Sequence, residues 1–302
     1  MYIFAGSASR SLGEKTASKL GAKLGSVNTS YFENGELRVV INEPKVNKQS
    51  VIIQSFSDPV DTSIMEFCFM ADAIKRLGCH DITAIVPWLG YSKQDKVFQN
   101  GEALSAKVIA KMLQVTPVKQ IITFDLHNPA ILGFFDIPVT NISARELLSE
   151  YYKKKLTKNT VVVAPDAGAI KSSTAFAGEL DVPVVYMDKK RDLSTGKVKV
   201  LGISRPVSGK EVIIVDDMIV TGGTLVQTAK YLKKSKVRSL SVAATHHLYV
   251  KGAQKSIEKA GFDEVVVTDT IEKKTKPSAS NRRLKVLSVS DLIVEAINSQ
   301  MD

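Results

Sequence analysis

The chain reads as an α/β protein built from mostly parallel sheets flanked by helices, in two domains. Three observations point there. Short β-branched runs alternate with amphipathic helical stretches along the whole sequence. A similar order of elements recurs in the second half, in pattern though not in residue identity. And 302 residues are enough to bury two separate cores.

Met1-Tyr-Ile-Phe-Ala-Gly6 reads as a first strand. It has no basic stretch before it, so it does not read as a signal peptide. Residues 51–54, 82–86 and 120–124 are the next strand candidates, with helical patterns over 63–77 and 105–113 between them. A boundary near 141–144 separates an expected first domain, 1–143, from a second, 144–302. The second opens with a helix over 144–154 and a strand over 160–164. The charged stretch 188–199, centred on the turn signal Ser194-Thr195-Gly196, suggests a mobile hairpin or flap. A strand over 212–215 and a helix over 225–232 follow. Then come a strand at 240–243, a helix at 252–260 and a strand at 264–267.

Composition removes several function classes. Hydrophobic content of 44% and charged content of 24% are those of a globular protein. No apolar run reaches membrane-span length, so a cytoplasmic protein with no membrane partner is expected. Cys68 and Cys79 make neither a disulfide framework nor a zinc cluster. The net charge of +10 suits anionic partners, either nucleic acid or phosphorylated metabolites. No zinc-finger, basic-zipper or aromatic RNA-binding pattern occurs, and the lysines are scattered, so nucleic acid is not expected as a partner.

The segment 212–225 carries the most chemistry. A β-branched run ends in Asp216 and Asp217. After Val220 comes a small-residue turn, Thr221-Gly222-Gly223-Thr224, and then a helical pattern. Strand, glycine turn and helix start together aim backbone N–H groups at an anion. The two glycines let the backbone approach a phosphate with no Cβ in the way. A strand-to-helix turn with a threonine cap would look similar; the aspartate pair at the strand end favours phosphate beside sugar hydroxyls or a metal.

Ligands of open α/β sheets bind beyond the carboxyl ends of the strands. There the candidate strands release polar groups: Lys93 and Gln94 after 82–86, His127 after 120–124, Asp166 after 160–164. His127 and Asp166 could ligate Mg2+ together with substrate phosphates, although each alone would equally suit a loop-capping histidine or a helix N-cap. His246 and His247 read as structural. No P-loop, dinucleotide fingerprint or nucleophile elbow is present.

The aspartate pair with Thr221-Gly222-Gly223-Thr224 resembles the phosphoribosyl-diphosphate motif of type I phosphoribosyltransferase folds. Phe32-Glu-Asn-Gly-Glu36, Gly90-Tyr-Ser-Lys-Gln-Asp95, Thr123-Phe-Asp-Leu-His127, Gly133-Phe-Phe-Asp-Ile-Pro138 and Pro165-Asp-Ala-Gly168 narrow the resemblance to ribose-phosphate diphosphokinases, from near residue 3 to near residue 295. The short chain and Gly101-Glu-Ala-Leu-Ser105 look most like the archaeal branch. The resemblance implies two tandem phosphoribosyltransferase-like domains and Mg2+-dependent transfer of diphosphate from ATP to the 1-hydroxyl of ribose 5-phosphate. It implies an ATP site of Phe32, Asn34, Gly35, Glu36, Lys93, Gln94 and His127. The 32–36 loop would reach a neighbouring copy of the chain, so the protein would be at least a dimer. Arg191, Asp216, Asp217, Val220, Thr221, Gly222, Gly223 and Thr224 would hold ribose 5-phosphate, His127 and Asp166 the metal, and Lys189 and Arg191 would be the catalytic cations of the flap.

Two positions depart from the family pattern. Val220 stands where an aspartate is common, and Lys93 replaces an arginine, losing a planar bidentate fork. These departures keep open a second reading, a non-catalytic regulatory relative. A phosphoribosyltransferase that consumes the diphosphate would generally need only one copy of the fold.

Overall fold

The computed structural model describes residues 1–46, 49–191, 198–273 and 283–299. The chain divides into two units.

The first unit contains β1 (Tyr2–Ala5), α1 (Arg10–Leu20), β2 (Lys23–Leu24), β3 (Val27–Tyr31), β4 (Leu37–Ile41), β5 (Ser50–Ile53), α2 (Val60–Arg76), β6 (Ile82–Val86), α3 (Ser105–Val115), β7 (Gln120–Phe124) and β8 (Val139–Ile142). Six strands form one sheet in the order β2-β1-β5-β6-β7-β8, every neighbouring pair parallel. Because helices cover both faces, its central strands are apolar throughout rather than alternating; β5 and β6 are buried along their whole length. Strands β3 and β4 form a separate antiparallel hairpin. Helix α2 buries Ile64, Phe67, Met70, Ala71 and Ile74, a three-and-four spacing that lays one stripe on the core.

The second unit contains α4 (Arg145–Lys153), β9 (Thr160–Ala164), α5 (Ile170–Leu180), β10 (Val184–Arg191), β11 (Val198–Ile203), β12 (Glu211–Ile219), α6 (Gly223–Lys234), β13 (Ser239–His247), α7 (Ala253–Ala260), β14 (Glu264–Thr268) and β15 (Leu284–Leu287). Its seven-stranded sheet runs β11-β10-β9-β12-β13-β14-β15. Only the β10–β11 edge pair is antiparallel. From β9 the chain winds outward through β10 and β11, then returns to place β12 on the other side of β9. The gap beyond the carboxyl ends of β9 and β12 is therefore the topological switch point of this sheet.

Residues 269–272 and the last helix, α8 (Ser290–Asn298), lie in the first unit, although the sequence boundary near 141–144 assigns them to the second. The contacts are specific. Helix α8 packs on α1. Lys15 pairs with Asp269 at 2.8 Å, and the Asp269 carboxylate also accepts the Val289 N–H at 2.8 Å. An amphipathic helix announces an apolar face, here Ile293 and Ile297; its periodicity does not say which sheet the face will meet.

Two strands are longer than their apolar runs. Asp216 and Asp217 lie inside β12, and His246 and His247 inside β13, because the ladder continues from Asp216↔Ala244 to Ile219↔His247. Backbone pairing does not require apolar side chains, so polar residues at a strand end hide its true length. The charged stretch forms the β10–β11 ladder, from Met187↔Ile203 to Arg191↔Val198. Its expected turn, Ser194-Thr195-Gly196, and the side chains of Lys189 and Arg191 lie outside the described residues.

Candidate active site

At the switch point of the second unit, β12 runs through Asp216 and Asp217 into Val220 and Thr221, and α6 begins at Gly223. Gly222 is its N-cap at φ 75°, a left-handed conformation that glycine adopts without strain. A Cβ there would sit 3.0 Å from Ile257 Cγ1 of α7, so the turn is also pressed closely from behind. The Gly223 N–H makes a long bond, 3.4 Å, to Thr221 Oγ1. No side chain caps α6, and no acidic residue lies in its first turn. A helix start carries unpaired N–H groups and a partial positive charge. Here they are left to an outside anion, with Thr221 exposed and Thr224 half-buried beside them.

Three carboxylates stand at the same sheet edge. Asp216 Oδ1 accepts the Asp217 N–H at 3.0 Å. Burial pushes the Asp216 carboxyl well above the ordinary carboxylate range, and the charges of Asp217 and Asp166 push it further. Asp166, after β9, turns Oδ1 toward the Ala169 N–H at 3.2 Å, one residue before α5. It is not the helix cap that its sequence context also allowed: Ala169 is the N-cap of α5, and no side chain caps that helix. A cluster of negative charge with one member held toward its neutral form suits sugar hydroxyls or a divalent cation. Among the described residues no three His, Cys, Asp or Glu gather as a metal cage. Magnesium takes one or two carboxylates and fills the rest of its shell with phosphates and water, and carboxylates are the donors that stand at this edge. Lys189 and Arg191 lie on β10, the neighbour of β9 in the same sheet, with a register shift between Asp188 and Lys189.

In the first unit the remaining predicted residues fall on three loops. Phe32, Asn34, Gly35 and Glu36 form the exposed tip of the β3–β4 hairpin. The Phe32 N–H donates to the Glu36 carbonyl, and Asn34 Oδ1 accepts the Glu36 N–H at 3.1 Å. Gly35 supplies the left-handed φ of 87°. The Arg38 guanidinium sits 5.9 Å above the Phe32 ring, which is 53% exposed. Lys93 and Gln94 are exposed after β6. Gln94 accepts the Ser105 hydroxyl at 2.7 Å. Gly90 lets this loop pass the Phe56 carbonyl, which a Cβ would approach to 2.8 Å. His127 is exposed after β7. Asn128 donates to the Asp95 carboxylate, so the Lys93–Gln94 loop and the His127 loop are tied together.

One functional-looking group has no counterpart among the sequence motifs. Glu66, on α2, is 1% exposed and accepts from Ser7 N–H, Ser7 Oγ, Thr29 Oγ1 and Gln54 Nε2 at 2.5–3.0 Å. Within an amphipathic helix it looks like any other surface glutamate; only its place on the buried face, one residue before Phe67, hints otherwise.

Comparison with known proteins agrees with this layout. Residues 1–116 match the N-terminal domain of ribose phosphate pyrophosphokinase, and residues 134–279 match the phosphoribosyl transferase domain. A ribose-phosphate pyrophosphokinase of Wolinella succinogenes is 37% identical over 98% of this chain and 94% of its own length. One from Ralstonia nicotianae is 38% identical over 98% and 93%. The crystal structure of phosphoribosylpyrophosphate synthetase from Mycobacterium smegmatis superposes with a TM-score of 0.87 at 32% identity, covering 99% of this chain and 98% of that one. With two tandem α/β units and motifs matched in order along nearly its whole length, the chain belongs to the ribose-phosphate pyrophosphokinase family and is an enzyme of that class.

Proposed function

We propose that the protein transfers the diphosphate group of ATP to the 1-hydroxyl of ribose 5-phosphate, giving 5-phosphoribosyl 1-diphosphate and AMP for nucleotide biosynthesis. The observation that carries this reading is the uncapped start of α6 beside the Asp166, Asp216 and Asp217 carboxylates at the switch point. The N–H groups of residues 222–224 and the threonine hydroxyls would seat the 5-phosphate. Asp216 and Asp217 would accept hydrogen bonds from the ribose hydroxyls. Asn34, Gly35 and Glu36 on their exposed hairpin, Lys93, Gln94 and Phe32 would hold ATP, the hairpin serving a neighbouring copy in a cytoplasmic homo-oligomer.

His127 and Asp166 would hold Mg2+, which would supply positive charge to offset that of the substrate phosphates. Lys189 and Arg191, brought over the site, would stabilise the charge that spreads over the oxygens of the attacked phosphorus. The 1-hydroxyl oxygen forms a bond to the β-phosphorus, the bond from that phosphorus to the AMP oxygen breaks, and the hydroxyl proton passes to solvent.

The test is AMP release with and without ribose 5-phosphate in the presence of Mg2+. Dependence on the sugar phosphate is expected, and Lys189→Ala should lower turnover at least about a hundredfold, the scale of one lost transition-state donor. A wild-type rate equal with and without ribose 5-phosphate rejects the reading. That result would favour instead a non-catalytic regulatory subunit, the reading that Val220 and Lys93 keep open, and mixing with an active relative would then reveal it.

A further inference from the structure

Behind the 221–224 turn lies a second layer of contacts that none of the roles above uses. His247 ends β13, directly beside Ile219 at the end of β12, and the Leu248 N–H bonds the Ile219 carbonyl at 2.9 Å. The His247 ring is fully buried. Its Nδ1 accepts the Tyr249 N–H at 2.9 Å, which places the proton of the neutral ring on Nε2. The Tyr249 ring stacks on it at 4.1 Å between centroids and 8° between planes. Tyr249 is held at φ 50°, an unusual conformation for an aromatic residue. This bend turns the chain toward α7, whose first residue donates its N–H to the Val250 carbonyl at 2.9 Å. Helix α7 in turn sets Ile257 against Gly222, the N-cap of α6.

We infer that His247 is a positioning residue for the phosphate cradle: by fixing the Tyr249 bend it holds α7 behind Gly222 and so keeps the N–H groups of the turn aimed at one point. The inference rests on ribose 5-phosphate being the ligand of that cradle. In this role His247 acts through the Tyr249 backbone and transfers no proton. Burial depresses its pKa to about 4, so it stays neutral through the working range.

Variants of the full chain test it, with ribose 5-phosphate varied at saturating ATP and Mg2+. His247→Phe keeps a ring for Tyr249 but removes the acceptor. It should raise the KM for ribose 5-phosphate roughly five- to tenfold, the scale of one lost hydrogen bond, while kcat stays within about twofold and the KM for ATP is unchanged. His247→Asn should restore the wild-type KM, because an asparagine oxygen accepts the N–H two residues on. An unchanged KM in His247→Phe, equal losses in both variants, or a fall in kcat alone overturns the inference. If His247→Phe does not fold, His247→Ala takes its place, with the same rise in KM expected and an unchanged KM again overturning the inference. Calorimetric titration of the wild type with ribose 5-phosphate is the control. No binding there removes the proposed substrate and this inference with it, whereas binding of equal strength in wild type and His247→Phe overturns the inference alone.

Discussion

The turn at residues 6–9, after β1, and the turn at 221–224, after β12, both lead from a parallel strand into a helix. In the first, the chain supplies its own acceptors, two carboxylates and an amide. Glu66 takes the Ser7 N–H and hydroxyl, Gln54 Oε1 takes the Ala8 N–H at 3.1 Å, and Glu272 takes the Leu12 N–H in the first turn of α1 at 2.8 Å. In the second only the Thr221 hydroxyl accepts, at a long 3.4 Å from the Gly223 N–H, no carboxylate fills that role, and the nearby carboxylates repel one another. One junction is satisfied internally and contributes to stability; the other is left for a ligand and costs stability until the ligand comes. A glycine turn before a helix is therefore only half of an anion site. The other half is that no carboxylate of the chain has already taken it.

The strongest way to break the comparison is Glu66→Ala. It leaves several buried donors unsatisfied at once and should destabilise the protein by about 3 kcal/mol or more in urea denaturation. A loss under about 1 kcal/mol would mean that water replaces the carboxylate and that the first junction is not closed. Next is Gly222→Ala. A Cβ at φ 75° beside Ile257 should cost about 2 kcal/mol and also weaken binding of ribose 5-phosphate. A stability loss with unaltered binding would detach the turn from the ligand.

The smallest effect sharpens the comparison by its sign. The Asp216 carboxyl is raised in the folded state, so its ionisation penalises folding. Stability is lost as pH rises from the unfolded value through the folded one, and Asp216→Asn removes that loss. The variant should melt at a higher temperature than the wild type at neutral pH, where the wild-type carboxyl bears the penalty. Its Tm should depend less on pH, while its affinity for ribose 5-phosphate falls. A lower Tm would show that the charge cluster is compensated in the free protein.

The sequence is most legible where strands are buried on both faces. Ile82–Val86, Gln120–Phe124 and Thr160–Ala164 have the bounds that their sequence patterns suggest, because no charged residue interrupts them. It is less legible where chemistry enters the sheet. The aspartates end the apolar run at Val215 while the ladder goes on to Ile219. Helix α6 begins two residues before its apolar pattern, on the glycines themselves. The β3–β4 hairpin carries little signal because neither strand is more than partly covered apart from Ile41. Glu66 carries none, because a four-donor cage assembled from Ser7 after β1, Thr29 in β3 and Gln54 after β5 leaves no local trace. Of the candidate site, the cradle and its carboxylates are visible as residue types. That Asp166, Asp216 and Asp217 share one sheet edge depends on β12 returning to the side of β9, and only the topology supplies that.

The return of α8 to α1 has a consequence for how the protein is made. The first unit is interrupted in sequence by nearly the whole of the second, so its closing helix emerges from the ribosome only after that insertion has been synthesised. Cotranslational folding can finish the inserted unit first, whereas the one that begins earlier must wait for Asp269, Glu272 and α8, the late partners of Lys15, Leu12 and α1.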